Sequence, residues 1–239
     1  MDHEELVKEI TQELYENDNV LALILYGSVS RHEENANSDI DLMIITSEYL
    51  LQKRHVMRRG IMIEFLEAHL DFLRNFITEK EVPVLFLLAN GVVLFDKIGA
   101  TEPLIDEARK ILEQGPCANT KWENERYSVK KRSDLTEIYH DLLDVDDIIL
   151  FHYIAMLLIN NIIPLLLENN QLWPTTRKKT MNLLKSECYD GYQFIETLLN
   201  PVCSLPDKRI AAKGLIEYAL KPHGGILTGD AVIFRKDKI

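Results

Sequence analysis

The sequence predicts an α/β (α+β) domain with a short mixed sheet, followed by a mostly α-helical domain. Up to Gln114, apolar runs of strand length alternate with stretches that have helical spacing. Gly115-Pro116 then interrupts the pattern, as is typical after the end of a helix. Beyond this point the apolar spacing is that of long helices. We therefore expect one domain over residues 1–115 and a second over residues 116–239.

The first domain is expected to begin with a helix over residues 4–17, because Leu6, Ile10 and Leu14 recur at helical spacing. The run from Val20 to Tyr26 is apolar throughout, which predicts a central strand buried on both faces. The other elements predicted here are strands over 38–45, 61–66 and 92–95, helices over the basic segment 47–59 and over 68–77 and 102–114, and a segment over 82–89 that fits either structure.

The second domain is expected to contain helices over 133–167 and 175–200, with Ser133 and Thr175 as N-caps. A last helix over 206–221 and a short strand over Ala231–Arg235 complete the prediction.

One apolar run, residues 148–167, is about long enough to span a bilayer. It contains His152, Asn160, Asn161 and Pro164. These residues favour a buried core helix that ends or kinks near Pro164 over a membrane span.

Composition narrows the classes of partner. The chain has 239 residues and a formal net charge of -11. Binding to nucleic acid through bulk positive charge is therefore not expected, whereas a cationic small substrate is compatible. The three cysteines lack CxxC spacing, and the acidic, amphipathic N-terminus does not resemble a signal peptide. We expect reduced thiols, a cytoplasmic location and no membrane partner.

The pattern that bears chemistry begins where the first strand ends, at Gly27-Ser28. About ten residues later, segment 38–42 reads Ser-Asp-Ile-Asp-Leu, which places Asp39 and Asp41 two residues apart on one face of a strand. Paired carboxylates suit Mg²⁺, and Glu64 inside another apolar strand offers a third acid. Glycine lets the backbone approach phosphate, and Ser28 offers a hydroxyl and an amide. A short helix after Ser28 would add a favourable dipole.

Each part of this pattern also occurs in proteins for purely structural reasons. Gly-Ser turns are common, single aspartates often cap helices, and Glu64 fits a solvent-facing edge. The combination of a phosphate-binding turn with three acids nevertheless favours two-metal phosphoryl chemistry.

These residues resemble those of nucleotidyltransferases of the DNA polymerase β superfamily. The similarity covers residues 20–66, and within the superfamily it is greatest to the antibiotic-modifying kanamycin and lincosamide enzymes, which confer antibiotic resistance. Weaker similarity to the kanamycin enzymes lies in Tyr26-Gly27-Ser28 with Arg31, in Ile63-Glu64-Phe65 and in residues 121–126.

The resemblance implies a role for each matching residue. Asp39 and Asp41 would bind two Mg²⁺ ions, and Glu64 would be a third ligand or an electrostatic partner. The residues implied in binding ATP or another nucleoside triphosphate are Gly27, Ser28, Arg31, Ser38 and Lys121. A nucleoside monophosphate would pass to an acceptor hydroxyl and pyrophosphate would leave. The kanamycin enzymes also suggest a homodimer.

Arg31 and Lys121 fit ordinary surface contacts equally well. Arg31 is as well suited to pair with Glu33 or Glu34 as to reach a phosphate, and Lys121 has the pattern of an exposed lysine beside a packed Trp122.

The general base is where the sequence departs from the kanamycin enzymes. Their glutamate, four residues before the Lys-Trp pair, corresponds to Cys117 here. Four acids remain as alternatives, although each fits a solvated surface position better. They are Glu123, Glu125, Asp141 and Asp144.

Three functional hypotheses follow. The first is transfer of AMP to a hydroxyl of a small molecule, either an aminoglycoside, whose positive charge suits this acidic chain, or a lincosamide. The second is transfer to a protein side chain, which an exposed apolar patch on the helical domain would favour. The third is a non-catalytic nucleotide-binding or toxin-neutralising module, which the presence of all three acids disfavours.

Overall fold

The computed structural model describes residues 3–229, so the strand expected at Ala231–Arg235 lies outside the described residues. The chain divides into two compact units, the first ending at Gln114 and the second beginning at Gly115. The first unit is a five-stranded mixed sheet with helices, and the second is helical. The predicted fold class is confirmed.

Within the described residues, the first unit contains four α-helices and five strands. In chain order they are α1 (His3–Tyr15), β1 (Val20–Tyr26), β2 (Ile40–Thr46), β3 (Leu51–Arg58), β4 (Ile61–His69), α2 (Leu70–Thr78), α3 (Val82–Asn90), β5 (Val92–Asp96) and α4 (Thr101–Glu113). The segment that fitted either structure is therefore a helix, α3.

The strands lie in the order β3-β4-β2-β1-β5, so β1 is an interior strand, as its apolar run predicts. Of the four strand pairs within the described residues, β2–β4 is parallel and the other three are antiparallel. Alternate residues of the strands face opposite cores. Leu23 and Leu25 pack with α1, whereas Ala22 and Ile24 belong to the core formed with α2, α3 and α4. This alternation decides which side chains share the site face.

The helix predicted over residues 47–59 is wrong, because this segment forms β3. It is an edge strand, and most of its side chains are exposed. Charged residues are common on such edges because they discourage pairing with another chain. Arg59 and Gly60 have φ of 52° and 81°, which suits a two-residue hairpin turn into β4. Gly60 therefore turns a hairpin instead of ending a helix.

The second unit is built from five α-helices among the described residues. They are α5 (Glu125–Asp144), α6 (Ile148–Asn169), α7 (Arg177–Glu187), α8 (Tyr189–Leu199) and α9 (Leu205–Leu220). Their shared core is mostly aliphatic, and it also contains Tyr139, Cys188 and the fully buried Phe151.

The single helix predicted over residues 133–167 is in fact two helices, α5 and α6. Asp147 separates them, because its carboxylate accepts a hydrogen bond from the backbone N–H of Leu150 and caps α6. Ser133 is not an N-cap: it is buried within α5 and donates to Glu137. Asn124 is the cap of α5.

The helix predicted over residues 175–200 is also two helices, α7 and α8. The break falls at Cys188, whose backbone (φ -143°, ψ 53°) is not helical. Thr175 is not the N-cap, since Thr176 occupies that position without a capping side-chain bond. The last predicted helix is confirmed as α9.

Helix α6 does not end at Pro164 but continues to Asn169. Proline removes one backbone donor, and the partner carbonyl four residues earlier belongs to the exposed Asn160, where solvent can replace the bond. Among the described residues, α6 is the helix long and apolar enough to cross a bilayer by length and composition, a test that core helices of soluble proteins also pass. Its buried side lies in the core of the second unit.

Candidate active site

Four polar side chains form one row across four neighbouring strands. Tyr26 pairs with Asp41, Asp41 with Glu64, and Glu64 with His55. Residues directly opposite one another in a sheet point to the same face. This is the face that carries α2, α3 and α4, and the row lies at the end of β1, where the chain enters the Gly27-Ser28 turn.

Glu64 is the most extensively bonded member of the row. The Tyr26 hydroxyl donates to its Oε1 at 3.0 Å, Lys53 Nζ lies 2.7 Å from Oε2, and His55 Nε2 lies 3.1 Å from the same oxygen. Burial raises the pKa of Glu64, but the bonds from Lys53, His55 and Tyr26 outweigh burial and bring the pKa below its ordinary value. Glu64 is therefore a charged, fixed carboxylate.

Asp41 has the opposite electrostatic environment. Burial, followed by the charges of Asp39 and Glu64, raises the pKa of Asp41 to about 6, and the charges of Lys53 and Arg31 only partly oppose this. Asp39 lies one residue before β2, so the two aspartates flank the start of the strand. Burial, and then the charges of Glu64, Asp41 and Asp39, raise the pKa of the Tyr26 phenol, which stays a hydrogen-bond donor. The site thus holds more negative charge than its own cations offset.

Gly27 lies against Asp41. Its φ is +76°, and a Cβ added there would be 1.8 Å from Asp41 Oδ2. Only glycine therefore fits between the end of β1 and the Asp41 carboxylate. The short helix expected after Ser28 is a 3₁₀ turn of three residues, Val29–Arg31, and within the described residues the Ser28 side chain makes no capping bond to it. The Ser28 hydroxyl thus remains open to a ligand.

Arg31 and Ser38 have structural partners. Arg31 Nε donates to Glu33 at 2.8 Å, and Glu33 is one of the two acids expected to pair with it. The charge of Arg31 also lowers the pKa of Asp41, in part opposing burial. The Ser38 hydroxyl accepts from the Asn35 backbone, and its carbonyl accepts from His3, so Ser38 holds the loop that presents Asp39.

Lys121 and the candidate bases belong to the second unit. Lys121 lies exposed in the 3₁₀ turn Thr120–Glu123, where its backbone N–H donates to Asn119. The four acids considered as general base are also exposed, as expected for surface residues; they are Glu123, Glu125, Asp141 and Asp144.

The partners of Glu64 are not predicted from the sequence. Lys53 and His55 lie in the segment predicted to be a helix, but on β3 they are two residues apart and face Glu64 together. If residues 51–58 are read as a strand, Lys53 and His55 lie on one face of it, where they can contact Glu64 of the neighbouring strand. Tyr26 is the last residue of the first strand, and its hydroxyl could be placed only once the register was known.

The oxygen ligands available at this site are of the type that Mg²⁺ prefers. Asp39 and Asp41 offer hard oxygen ligands, and the raised pKa of Asp41 marks a position where a cation would relieve repulsion. Within residues 3–229, no three His, Cys, Asp or Glu side chains converge as a metal centre. Glu64 is turned toward Lys53 and His55, which leaves the aspartates as the better match.

Residues 8–98 match the family model described as Polymerase beta, Nucleotidyltransferase. The first unit contains a nucleotidyltransferase-like domain. The match spans all five strands and therefore the whole polar row. A search of curated proteins found no match. Among solved structures, the chain is similar to a nucleotidyltransferase-like protein from Exiguobacterium sibiricum 255-15, with 15% identity, 92% of this chain and 75% of that chain covered, and a TM-score of 0.48.

Proposed function

We propose that this protein is a Mg²⁺-dependent nucleotidyltransferase that moves AMP from ATP to a hydroxyl of a small molecule and releases pyrophosphate. The observation that carries the proposal is the crowding of Asp39, Asp41 and Glu64 beside Gly27, in a nucleotidyltransferase-like domain. Isolated capping or solvated carboxylates have no reason to share one face and one glycine turn.

Asp39 and Asp41 would hold Mg²⁺. When bound there, the metal would neutralise phosphate charge and polarise the phosphate that is transferred. Glu64 would complete the acid set, and its bonds to Tyr26, Lys53 and His55 would keep its carboxylate in place.

The turn after β1 would hold the triphosphate. Gly27 permits close approach of the backbone, and the Ser28 hydroxyl donates to a phosphate oxygen. Lys53 and Arg31 add positive charge on the side of Asp41. The acceptor oxygen then forms a bond to the α-phosphorus, the bond from that phosphorus to the bridging oxygen breaks, and the hydroxyl proton is released. Catalysis comes from positioning and charge stabilisation.

An aminoglycoside or lincosamide is the proposed acceptor, which would make the enzyme one of antibiotic resistance. Aminoglycosides are polycations, and the net charge of -11 favours their approach. A cytoplasmic location would supply both ATP and a reducing environment for the cysteines.

The double variant Asp39→Asn/Asp41→Asn should lose nucleotide transfer by at least about a hundredfold, because it removes the charges that hold the metal. Mass spectrometry of adducts, over a panel of aminoglycosides and lincosamides with ATP, GTP, CTP and UTP, would identify the substrates and measure the loss. Asp18→Asn/Asp106→Asn changes the same charge at exposed positions of the same unit and should keep full activity. Transfer by a folded double variant would refute the proposal.

A second copy of the chain is the proposed partner of α6. Apolar side chains form an exposed stripe on this helix, which we call the α6 stripe: Ile148, Ile149, Leu150, Tyr153, Met156 and Leu157. None of these six residues is charged, which favours self-association through this surface. The exposed His152 lies among them, and its Nε2 is 2.7 Å from Nζ of the buried Lys208. The exposed area of the stripe is on the order of 600 Å² per copy, against about 800 Å² per partner in a standard interface.

Ile149→Lys/Tyr153→Lys should convert a dimer to a monomer at micromolar concentration, because it places two charges in the apolar contact. Ile149 and Tyr153 are 78% and 63% exposed, so the folded monomer should tolerate both changes. Analytical ultracentrifugation measures the state. Tyr189→Lys/Val202→Lys, at exposed apolar positions outside the stripe, should stay dimeric. A monomeric wild type would contradict the dimer.

Transfer of AMP to a protein is the second candidate function, and the α6 stripe is the observation that favours it. In that case the stripe would dock the acceptor protein. A monomeric wild type that modifies no antibiotic, and whose labelling of a protein requires Ile149 and Tyr153, would replace the first proposal with this one.

A further inference from the structure

A cavity of about 240 Å³ opens within the second unit, beside the last turns of α6. Its walls are mostly apolar, with Pro116, Ala118, Pro164, Leu167 and Leu172 among them. Glu168 also lines it. A carboxylate in an apolar wall is costly unless it is hydrogen-bonded or paired with a cation, so the partners of Glu168 decide what the cavity can hold.

Both oxygens of Glu168 are held by uncharged donors. Trp122 Nε1 donates to Oε1 at 2.6 Å, and Asn119 Nδ2 donates to Oε2 at 2.9 Å. No described Lys or Arg forms an ion pair with it between residues 3 and 229. A carboxylate has about four acceptor positions, so about two remain for a ligand.

His223 does not supply the missing positive charge. Its ring stacks on Trp122, with centroids 3.7 Å apart, and its Nε2 lies 2.7 Å from the Asn169 side-chain oxygen. Burial lowers the pKa of His223, and the nearby Glu168 charge only opposes this in part. The imidazole is therefore neutral at physiological pH, and the carboxylate keeps an unmatched charge.

We propose that this cavity, the Glu168 pocket, binds a small organic cation: a protonated primary amine carried on a single apolar ring. The ammonium would donate to Glu168, and the ring would pack against the proline and leucine side chains. The volume is below the 300–1,000 Å³ typical of drug-sized ligands, which limits the ligand to about one ring. Binding of the amine needs neither nucleotide nor Mg²⁺, so it can be measured separately from the proposed transfer reaction. Cys117, which corresponds to the base position of the kanamycin enzymes, also lines the pocket.

Benzylamine and benzyl alcohol test the pocket, because they share a ring and differ in charge at pH 7.5. Titration calorimetry without nucleotide should show benzylamine binding at least about tenfold more tightly than benzyl alcohol, since it adds a charged hydrogen bond. Glu168→Gln should abolish this preference. Glu187→Gln, an exposed acid at the end of α7, should keep it. Equal binding of the two probes to wild type, or an unchanged preference in Glu168→Gln, would overturn the proposal.

Two further measurements keep the test decisive if Glu168→Gln does not fold. Ala118→Leu fills the cavity from an exposed wall position and leaves the carboxylate in place, so it should weaken benzylamine binding at least about tenfold. Undiminished binding by this variant would place the amine elsewhere and contradict the proposal. In a Trp173→Phe background, Trp122 is the sole tryptophan. Its emission should change with benzylamine, and the same change should need at least about tenfold more benzyl alcohol. No change at saturating benzylamine would also count against the pocket.

Discussion

Gly27→Ala should reduce nucleotide transfer by at least about a hundredfold while the protein remains folded. The new Cβ would lie 1.8 Å from Oδ2, 2.8 Å from Cγ and 3.1 Å from Cβ of Asp41. Rotating the carboxylate alone cannot relieve three such contacts, so Asp41 must move away from its metal-binding position. A shift of about 1 Å in a catalytic group is enough for a loss of this size. Adduct formation with the best acceptor measures it.

Gly60→Ala is the matched control for backbone strain. Gly60 has φ of +81°, close to the +76° of Gly27, but a Cβ there meets nothing within 4 Å. Gly60→Ala should lose about 1–2 kcal/mol of stability, because alanine is strained in the left-handed region. Gly27→Ala should lose at least as much, because its Cβ also displaces Asp41. Urea unfolding measures that loss. Only Gly27→Ala should also lose transfer, and a Gly27→Ala enzyme as active as Gly60→Ala would mean that Asp41 does not need its present position.

The strand-turn-strand part of the site was predictable because each of its signals is local. Seven consecutive apolar residues fix β1, Gly27 follows at once, and Asp41 stands two residues after Asp39 in the next strand. Strand periodicity puts the two aspartates on one side. Asp41 and Glu64 are direct neighbours because β2 pairs in parallel with β4. This pairing cannot be predicted from any local pattern in the sequence.

Edge strand β3 was not predictable from periodicity. Its sequence, Leu51–Arg58, is mostly charged or polar, since an edge strand with exposed side chains needs little apolar alternation. What fixes it is tertiary: Arg58 bonds Glu13 of α1 at 2.5 Å, and Arg54 bonds Glu67 of β4. With residues 47–59 predicted as a helix, Lys53 and His55 could not be recognised as the β3 residues that contact Glu64.

The predicted helix boundaries in the second unit were wrong for a related reason. Apolar spacing runs through residues 133–167, so the pattern alone gives one helix, whereas the break depends on Asp147 capping α6 and on Arg209 of α9 donating to the Val145 carbonyl at 2.7 Å. A short polar segment between two apolar stretches ends a helix when a neighbouring helix satisfies its backbone.

Asp41→Asn should stabilise the metal-free protein at pH 7.5 by about 1 kcal/mol while removing transfer. In the folded state the pKa of Asp41 is raised to about 6 by burial, Asp39 and Glu64, against about 3.9 in the unfolded chain. Charging Asp41 in place therefore costs stability. The full shift corresponds to about 3 kcal/mol, and solvent screening of this partly exposed group reduces it to about 1 kcal/mol. Asparagine keeps the shape and avoids the charge.

The sign of the pH dependence follows from proton linkage. Between about pH 4 and pH 6 the unfolded chain has released the Asp41 proton and the folded protein still holds it, so the free energy of unfolding falls as pH rises. The advantage of Asp41→Asn should thus be absent near pH 3.5 and complete above pH 6.5. Urea unfolding in EDTA at the two pH values measures it.

Asp96 provides the opposite case in the same unit. Burial raises the pKa of Asp96, but hydrogen bonds from Thr101, Ile98 and Gly99 outweigh it and hold the pKa below its ordinary value. Asp96→Asn should therefore destabilise the protein at pH 7.5, and the loss of stability should shrink as pH falls through the folded-state pKa of Asp96.

Mg²⁺ should raise the stability of the wild-type protein and leave the stability of Asp41→Asn unchanged. An Asp41→Asn protein less stable than wild type at pH 7.5 would show that the Asp41 charge is already compensated without metal, and would remove the electrostatic basis for placing Mg²⁺ there.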